Sequence, residues 1–113
     1  AMADLGLYGS YYGHAATALL HVRPVANLRD AGDLAKFRKL GDEVAALVKQ
    51  YKGSIAGEHG VGIARTEFLP SVMSAETYAA MSGVKAIVDP ENRFNPGKII
   101  GDGRYRFDTN LRW

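Results

Sequence analysis

Between Asp30 and Gly53 the apolar residues recur in steps of three and four: Leu34, Phe37, Leu40, Val44, Leu47, Val48 and Tyr51. That spacing lines one face of an α-helix. Asp30 and Asp33 are both suited to cap its start, and Gly53 is placed to end it. A second helical pattern, Tyr78, Met81, Val84 and Val88, follows the capping residue Ser74. It stops at Asp89-Pro90, because the residue before a proline is pushed out of the helical region. Leu19-Leu20-His21-Val22-Arg23-Pro24-Val25 predicts a strand, with Pro24 setting it at a sheet edge or a strand end. Residues 54–63 predict a short strand running into a glycine-rich loop. Phe68-Leu69-Pro70 reads as an irregular connector, Asn95-Pro96-Gly97-Lys98 as a turn, and the remainder to Trp113 as an extended tail. The resulting β-α-β-α order has no internal repeat and no low-complexity run. It predicts an α+β, or small α/β, layer structure.

Length and composition narrow this picture. With 113 residues the chain is expected to form one domain over residues 1–113. Hydrophobic residues at 47% and charged residues at 23% are an ordinary globular balance. No apolar run approaches the roughly 20 residues of a membrane-spanning helix, and no signal-peptide pattern is present. The net charge of +2 is small and its cations are scattered among acids, which argues against nucleic acid as a partner. With no cysteine, any metal must be held by His, Asp or Glu. These features suit a cytoplasmic protein, peripheral at the inner membrane at most. Ala1-Met2-Ala3 reads as a cloning remnant, and residues 5–13 begin without a helix-start signal, so the chain is expected to be a segment of something larger.

The residues able to do chemistry are few. His14 and His21 would lie roughly 10 Å apart on one helix. On one straight strand they would be about 23 Å apart on opposite faces. Only a turn between them would let both reach one ion; otherwise they are two unrelated histidines. In Gly57-Glu58-His59-Gly60-Val61-Gly62, three glycines surround an adjacent acid and base. That suits either a plain turn or a loop that approaches a ligand, with one side chain ligating metal and the other handling a proton. Arg23, beside a strand end, can hold a carboxylate bidentately. Tyr8, Tyr11 and Tyr12 read as core or interface packing rather than as a stacking platform, and the Asn95 turn reads as structural on local chemistry alone.

Taken in order, these segments resemble one family. Gly13-His14 with His21 seven residues on is followed by Gly53-Ser54-Ile55-Ala56-Gly57-Glu58-His59-Gly60-Val61-Gly62, then by Asp89-Pro90 and Asn95-Pro96-Gly97-Lys98. The set is similar to the C-terminal domain of FAD-linked oxidases of the vanillyl-alcohol oxidase type, which includes D-lactate, glycolate and D-2-hydroxyglutarate dehydrogenases. His21-Val22-Arg23-Pro24 and the ending Asn110-Leu111-Arg112-Trp113 look most like the large members that also carry an iron–sulfur module.

The resemblance implies the C-terminal cap segment of a FAD-dependent dehydrogenase of D-2-hydroxyacids. In it His14, His21 and Glu58 bind a divalent metal, zinc, and His59 is the catalytic base. Asn95 sits near the flavin, and hydride passes from the substrate carbon to FAD. The family commonly has Gly-Asp-Gly-Asn where this chain has Ala16-Thr17-Ala18-Leu19. The turn glycines and the acid are therefore missing, which puts metal binding at issue and offers Arg23 for the substrate carboxylate instead. The implied partners are a small 2-hydroxyacid, the upstream FAD-binding domain of the same protein, and an iron–sulfur module or other electron acceptor. Alone, the segment is expected neither to hold FAD tightly nor to turn over, and to associate with itself through exposed apolar surface. Two other classes compete: a metal-binding protein that works without flavin, and an inert α+β packing or dimerisation module.

Overall fold

In a computed structural model, which describes residues 1–112, two strands pair antiparallel: β1 (Tyr8–His14) and β2 (Leu19–Val25). Four helices follow, α1 (Ala31–Gln50), α2 (Gly62–Arg65), α3 (Leu69–Val72) and α4 (Ala75–Val88). Single 3-10 turns lie at Ala3–Leu5, Ala15–Thr17 and Thr66–Phe68. The class is α+β. By contacts the chain divides into two units, one of Ala1–Val44 with Leu111 and Arg112, the other of 45–110. Among the described residues no helix is long and apolar enough to cross a membrane.

The first unit is organised by the two-stranded sheet. Its register places Tyr8 opposite Val25, Ser10 opposite Arg23, Tyr12 opposite His21 and His14 opposite Leu19. Side chains alternate between faces, so these eight share one face while Tyr11, Leu20 and Val22 lie on the other. The second face meets the core. Met2, Leu7 and Leu40 are buried there, with Leu5, Val22, Ala26 and Val44 packed around them, and the Tyr11 hydroxyl donates to Met2 Sδ at 2.9 Å. Full burial of each such side chain is worth about 1.5–3 kcal/mol. Met2, grouped with its neighbours as a remnant from sequence alone, is thus a core residue.

Asp30 is the residue that caps α1, its Oδ1 accepting from the Asp33 N–H at 2.9 Å. Asp33 instead accepts from the Asn27 N–H at 3.0 Å and pairs with Lys36 at 2.9 Å. The helix closes as expected. The Gly53 N–H returns to the Val48 carbonyl at 2.8 Å.

The second unit departs from expectation in its loop, its connector, its last helix and its tail. Residues 54–63 form no strand, because Gly60 and Gly62 take φ of +73° and +52°, where a strand cannot continue. The connector at Phe68-Leu69-Pro70 is a run of helical turns, and Phe68 and Leu69 are its most buried apolar side chains. Pro70 falls within the first two positions of α3, where its missing N–H is no loss. The apolar face read for α4 is only half inward: Tyr78 and Met81 are partly buried, but Val84 is 62% exposed and Val88 68%.

Polar contacts tie the later chain to these helices. Thr66, the most buried side chain, donates to the Gly62 carbonyl at 2.7 Å and accepts from the Ile99 N–H at 2.9 Å. The Tyr78 hydroxyl accepts from the Gly101 N–H at 3.0 Å. Glu67 accepts from the Phe107 N–H, and the rings of Phe68 and Phe107 meet at 5.7 Å. The tail is therefore a folded return held by turns rather than an extended strand; Trp113 lies outside the described residues.

Ser74 caps α4 through the Thr77 N–H at 3.1 Å, and the helix stops at Asp89. The buried Asp89 carboxylate accepts from Lys85 Nζ and from the N–H groups of Arg93 (2.8 Å) and Phe94 (2.9 Å). The Lys85 ammonium, then these two amides, hold its carboxyl below the ordinary aspartate range.

A Cβ on Gly13 would run into the Leu19 carbonyl across the hairpin, whereas one on Gly83, within α4, would meet nothing. Gly13→Ala should destabilise by about 1–3 kcal/mol through overpacking. Gly83→Ala should stabilise by about 0.5–1 kcal/mol; urea unfolding followed by circular dichroism measures both. For Asp89, a carboxyl whose folded pKa is depressed contributes its stability fully above the unfolded value of about 3.9 and loses it as pH falls through the folded value. Stability against thermal unfolding should therefore fall below about pH 4, and Asp89→Asn should remove part of that acid dependence. An identical pH profile in the variant would refute the assignment.

Candidate functional site

The hairpin turn decides the fate of the two early histidines. Leaving β1, the chain makes a single 3-10 turn at Ala15–Thr17. Ala18 then adopts the left-handed conformation at φ 52°. The Thr17 hydroxyl donates to the His14 carbonyl at 3.3 Å, and the Ala18 N–H to Ala15 at 3.3 Å. This reversal sets His14 and His21 diagonally across the two strands on the same face. Their rings meet edge to face at 5.4 Å, with an angle of 71°. A ring nitrogen of one lies within 4.8 Å of a ring nitrogen of the other.

Two nitrogens bound to one ion at 2.0–2.1 Å each can be at most about 4.2 Å apart, so small side-chain rotations suffice for shared ligation. The donor set, imidazole nitrogen, suits a borderline divalent ion such as zinc. The residues present thus fit such a metal.

Tyr12 and Arg23 complete this face. Tyr12 stacks on His21 with centroids 4.5 Å apart and planes within 18°. Arg23 places its guanidinium carbon 5.8 Å from the centre of the Tyr12 ring, within cation–π range. The tyrosine taken for simple packing is therefore a stacking surface, while its neighbour Tyr11 does pack, through Met2. Arg23 is exposed, with its guanidinium available to an anion.

The remaining candidates lie in the second unit. Glu58 Oε2 and His59 Nε2 are 3.3 Å apart in the glycine loop, and the His59 side chain is 83% exposed. Beside the carboxylate, an exposed imidazole can take up and pass on a proton. Asn95 sits exposed in its turn in the left-handed conformation, φ 49°, and its side-chain oxygen accepts from Lys98 Nζ at 3.1 Å. Four more turns of this kind crowd the same stretch: Asn92, Gly97, Ile99 and Gly103 all have positive φ. For the β-branched Ile99 that conformation is strained.

A family model for FAD linked oxidases, C-terminal domain, matches residues 1–99. The chain belongs to this family. Among the curated relatives of this FAD-linked oxidase segment, D-2-hydroxyglutarate dehydrogenase of Pseudomonas putida is 42% identical over 94 residues, which is 83% of this chain and 9% of the relative. The D-2-hydroxyglutarate dehydrogenase of Escherichia coli is 40% identical over the same shares. D-lactate dehydrogenase of Anaerostipes hadrus is 34% identical over 78% of this chain and 19% of its own length. The chain thus spans about a tenth to a fifth of the relatives it matches.

Ala18 stands where the FAD-linked oxidase pattern quoted above has the second glycine of its turn, and a left-handed alanine costs about 1–2 kcal/mol. Ala18→Gly should raise the stability of the hairpin unit by about 0.5–1 kcal/mol, the strain relief exceeding the extra entropy of the unfolded glycine. A urea midpoint that falls would refute the strain.

Proposed function

We propose that this chain is the substrate-binding and proton-handling segment of a FAD-dependent dehydrogenase of D-2-hydroxyacids, of the D-2-hydroxyglutarate or D-lactate type. The observation that carries the reading is the histidine pair: His14 and His21 share one face of the hairpin within ligating reach, with Arg23 beside them. Membership in the FAD-linked oxidase family and the names of the relatives support the same reading.

In this proposal His14 and His21, with Glu58, hold a divalent ion, zinc. Bound there, the ion supplies Lewis acidity toward a 2-hydroxyl and its carboxylate. Arg23 takes a substrate carboxylate through its planar fork. His59 accepts the 2-hydroxyl proton, and Glu58, 3.3 Å from it, orients its ring. Asn95 would help to hold FAD, bound mainly by an FAD-binding domain upstream, and that cofactor would supply the electron acceptor. An iron–sulfur module or another electron acceptor is the partner this role would call for.

Elemental analysis of the zinc-loaded, dialysed chain should find about one zinc per chain, falling in His21→Gln and in Glu58→Ala. In the whole enzyme, His59→Gln should lower kcat by about 10²–10⁴-fold, the usual contribution of a general base. Undiminished turnover in that variant would sink the proposed role of His59.

A further inference from the structure

We propose that Tyr12 is a positioning residue, a flat platform that fixes the imidazole plane of His21 and the guanidinium of Arg23 on the same face of the hairpin. The inference rests on the reading of that face given above and adds a residue to it.

Three observations converge on Tyr12. In the register it lies directly opposite His21, the closest cross-strand relation a sheet provides. Its ring is nearly parallel to the imidazole, 4.5 Å away at 18°. The same ring carries Arg23 at 5.8 Å, so one side chain touches both groups assigned to ion and carboxylate. Tyr12 also has no part in the core. It points away from Met2, Leu7 and Leu40 and is 49% exposed, while Tyr11 supplies the inward contact.

The physical consequence concerns direction. Both nitrogen lone pairs or N–H bonds of an imidazole lie in the plane of the ring. Stacking on Tyr12 fixes that plane, and the His14 ring lies at 71° to it with a ring nitrogen within 4.8 Å of one of His21. An unstacked His21 would sample more side-chain rotations, and only some would aim a nitrogen toward an ion shared with His14. For Arg23 the ring face is a weak cation site that favours a flat guanidinium held near the strand. A phenylalanine keeps the flat face; a leucine keeps bulk but loses it.

The experiment compares Tyr12→Phe and Tyr12→Leu with the unaltered chain by two measurements. The first is NMR of the His21 ring protons and the Arg23 δ protons, which a stacked aromatic ring shifts upfield. The second is zinc affinity by competition with a chelator. Tyr12→Phe should keep the upfield shifts and bind zinc within about twofold of the unaltered chain. Tyr12→Leu should lose the shifts and bind zinc on the order of threefold to tenfold more weakly, the scale of one aromatic pair. Its unfolding midpoint should barely move, as for other surface changes.

Shifts that persist in Tyr12→Leu, with unchanged zinc affinity, overturn the proposal. So does a loss of affinity matched by a general loss of stability. If the unaltered chain takes up no zinc, the metal reading of the face fails on its own. The χ1 couplings of His21 then decide Tyr12 alone: rotamer averaging that appears in Tyr12→Leu and not in Tyr12→Phe supports the platform, and couplings unchanged in both refute it.

Discussion

The antiparallel register of β1 and β2 sets everything the hairpin can do. A strand alternates its faces, so a slip of a single residue would send His14, His21 and Arg23 toward the core and bring Val22 out to solvent. The pairing of Tyr12 with His21 is protected on both sides. Gly9 and Gly13 let the strands approach so closely that a Cβ at either position would strike the carbonyl of the partner strand. On the inner face Tyr11 and Val22 anchor the ribbon to Met2 and to the α1 core. A two-stranded ribbon is marginal by itself, so this apolar contact matters more than the ladder between the strands.

The second unit is held by different means. Its apolar core is small, and buried polar groups do much of the fixing. Thr66 bridges the Gly62 carbonyl and the Ile99 amide, Glu67 takes the Phe107 amide, and Asp89 gathers Lys85 and two amides. Each of these groups is buried or half-buried and satisfied, which is the condition under which a polar interior stabilises rather than costs. The same arrangement accounts for the exposed end of α4. Asp89 draws Lys85 inward, so the helix turns Lys85 and Ser82 toward the unit and leaves Val84, Ile87 and Val88 outside.

What the sequence made legible were patterns that local chemistry enforces. The bounds of β2, the Asp30 and Ser74 caps and the Asp89 stop all follow from residues within a turn of where they act. β1 was hidden because Gly9 and Gly13 lower strand propensity, whereas here close approach demands them. The strand expected at 54–63 failed for the opposite reason: Gly60 and Gly62 spend their freedom on positive φ. For the site, the spacing of His14 and His21 was uninformative until the turn between them was known. The stacking of Tyr12 depends on cross-strand register, which one strand's sequence does not carry. The alternating pattern Tyr8, Ser10, Tyr12, His14 was the available signal, and it becomes visible once residues 8–14 are read as a strand.

The two kinds of chemistry assigned to this chain sit on two kinds of backbone, and the difference has a physical logic. Ligation and carboxylate recognition need fixed directions, and the hairpin supplies them: a ladder, a packed inner face and a stacked ring leave His21 little freedom. Proton transfer needs access to both substrate and solvent. His59, mostly exposed on a glycine loop with Glu58 at 3.3 Å, is open to solvent, as the proposed role requires. Within its own unit each device has its own effect: the glycines at 57, 60 and 62 leave the loop backbone free to turn, and the tyrosine at 12 holds the plane of a neighbouring ring.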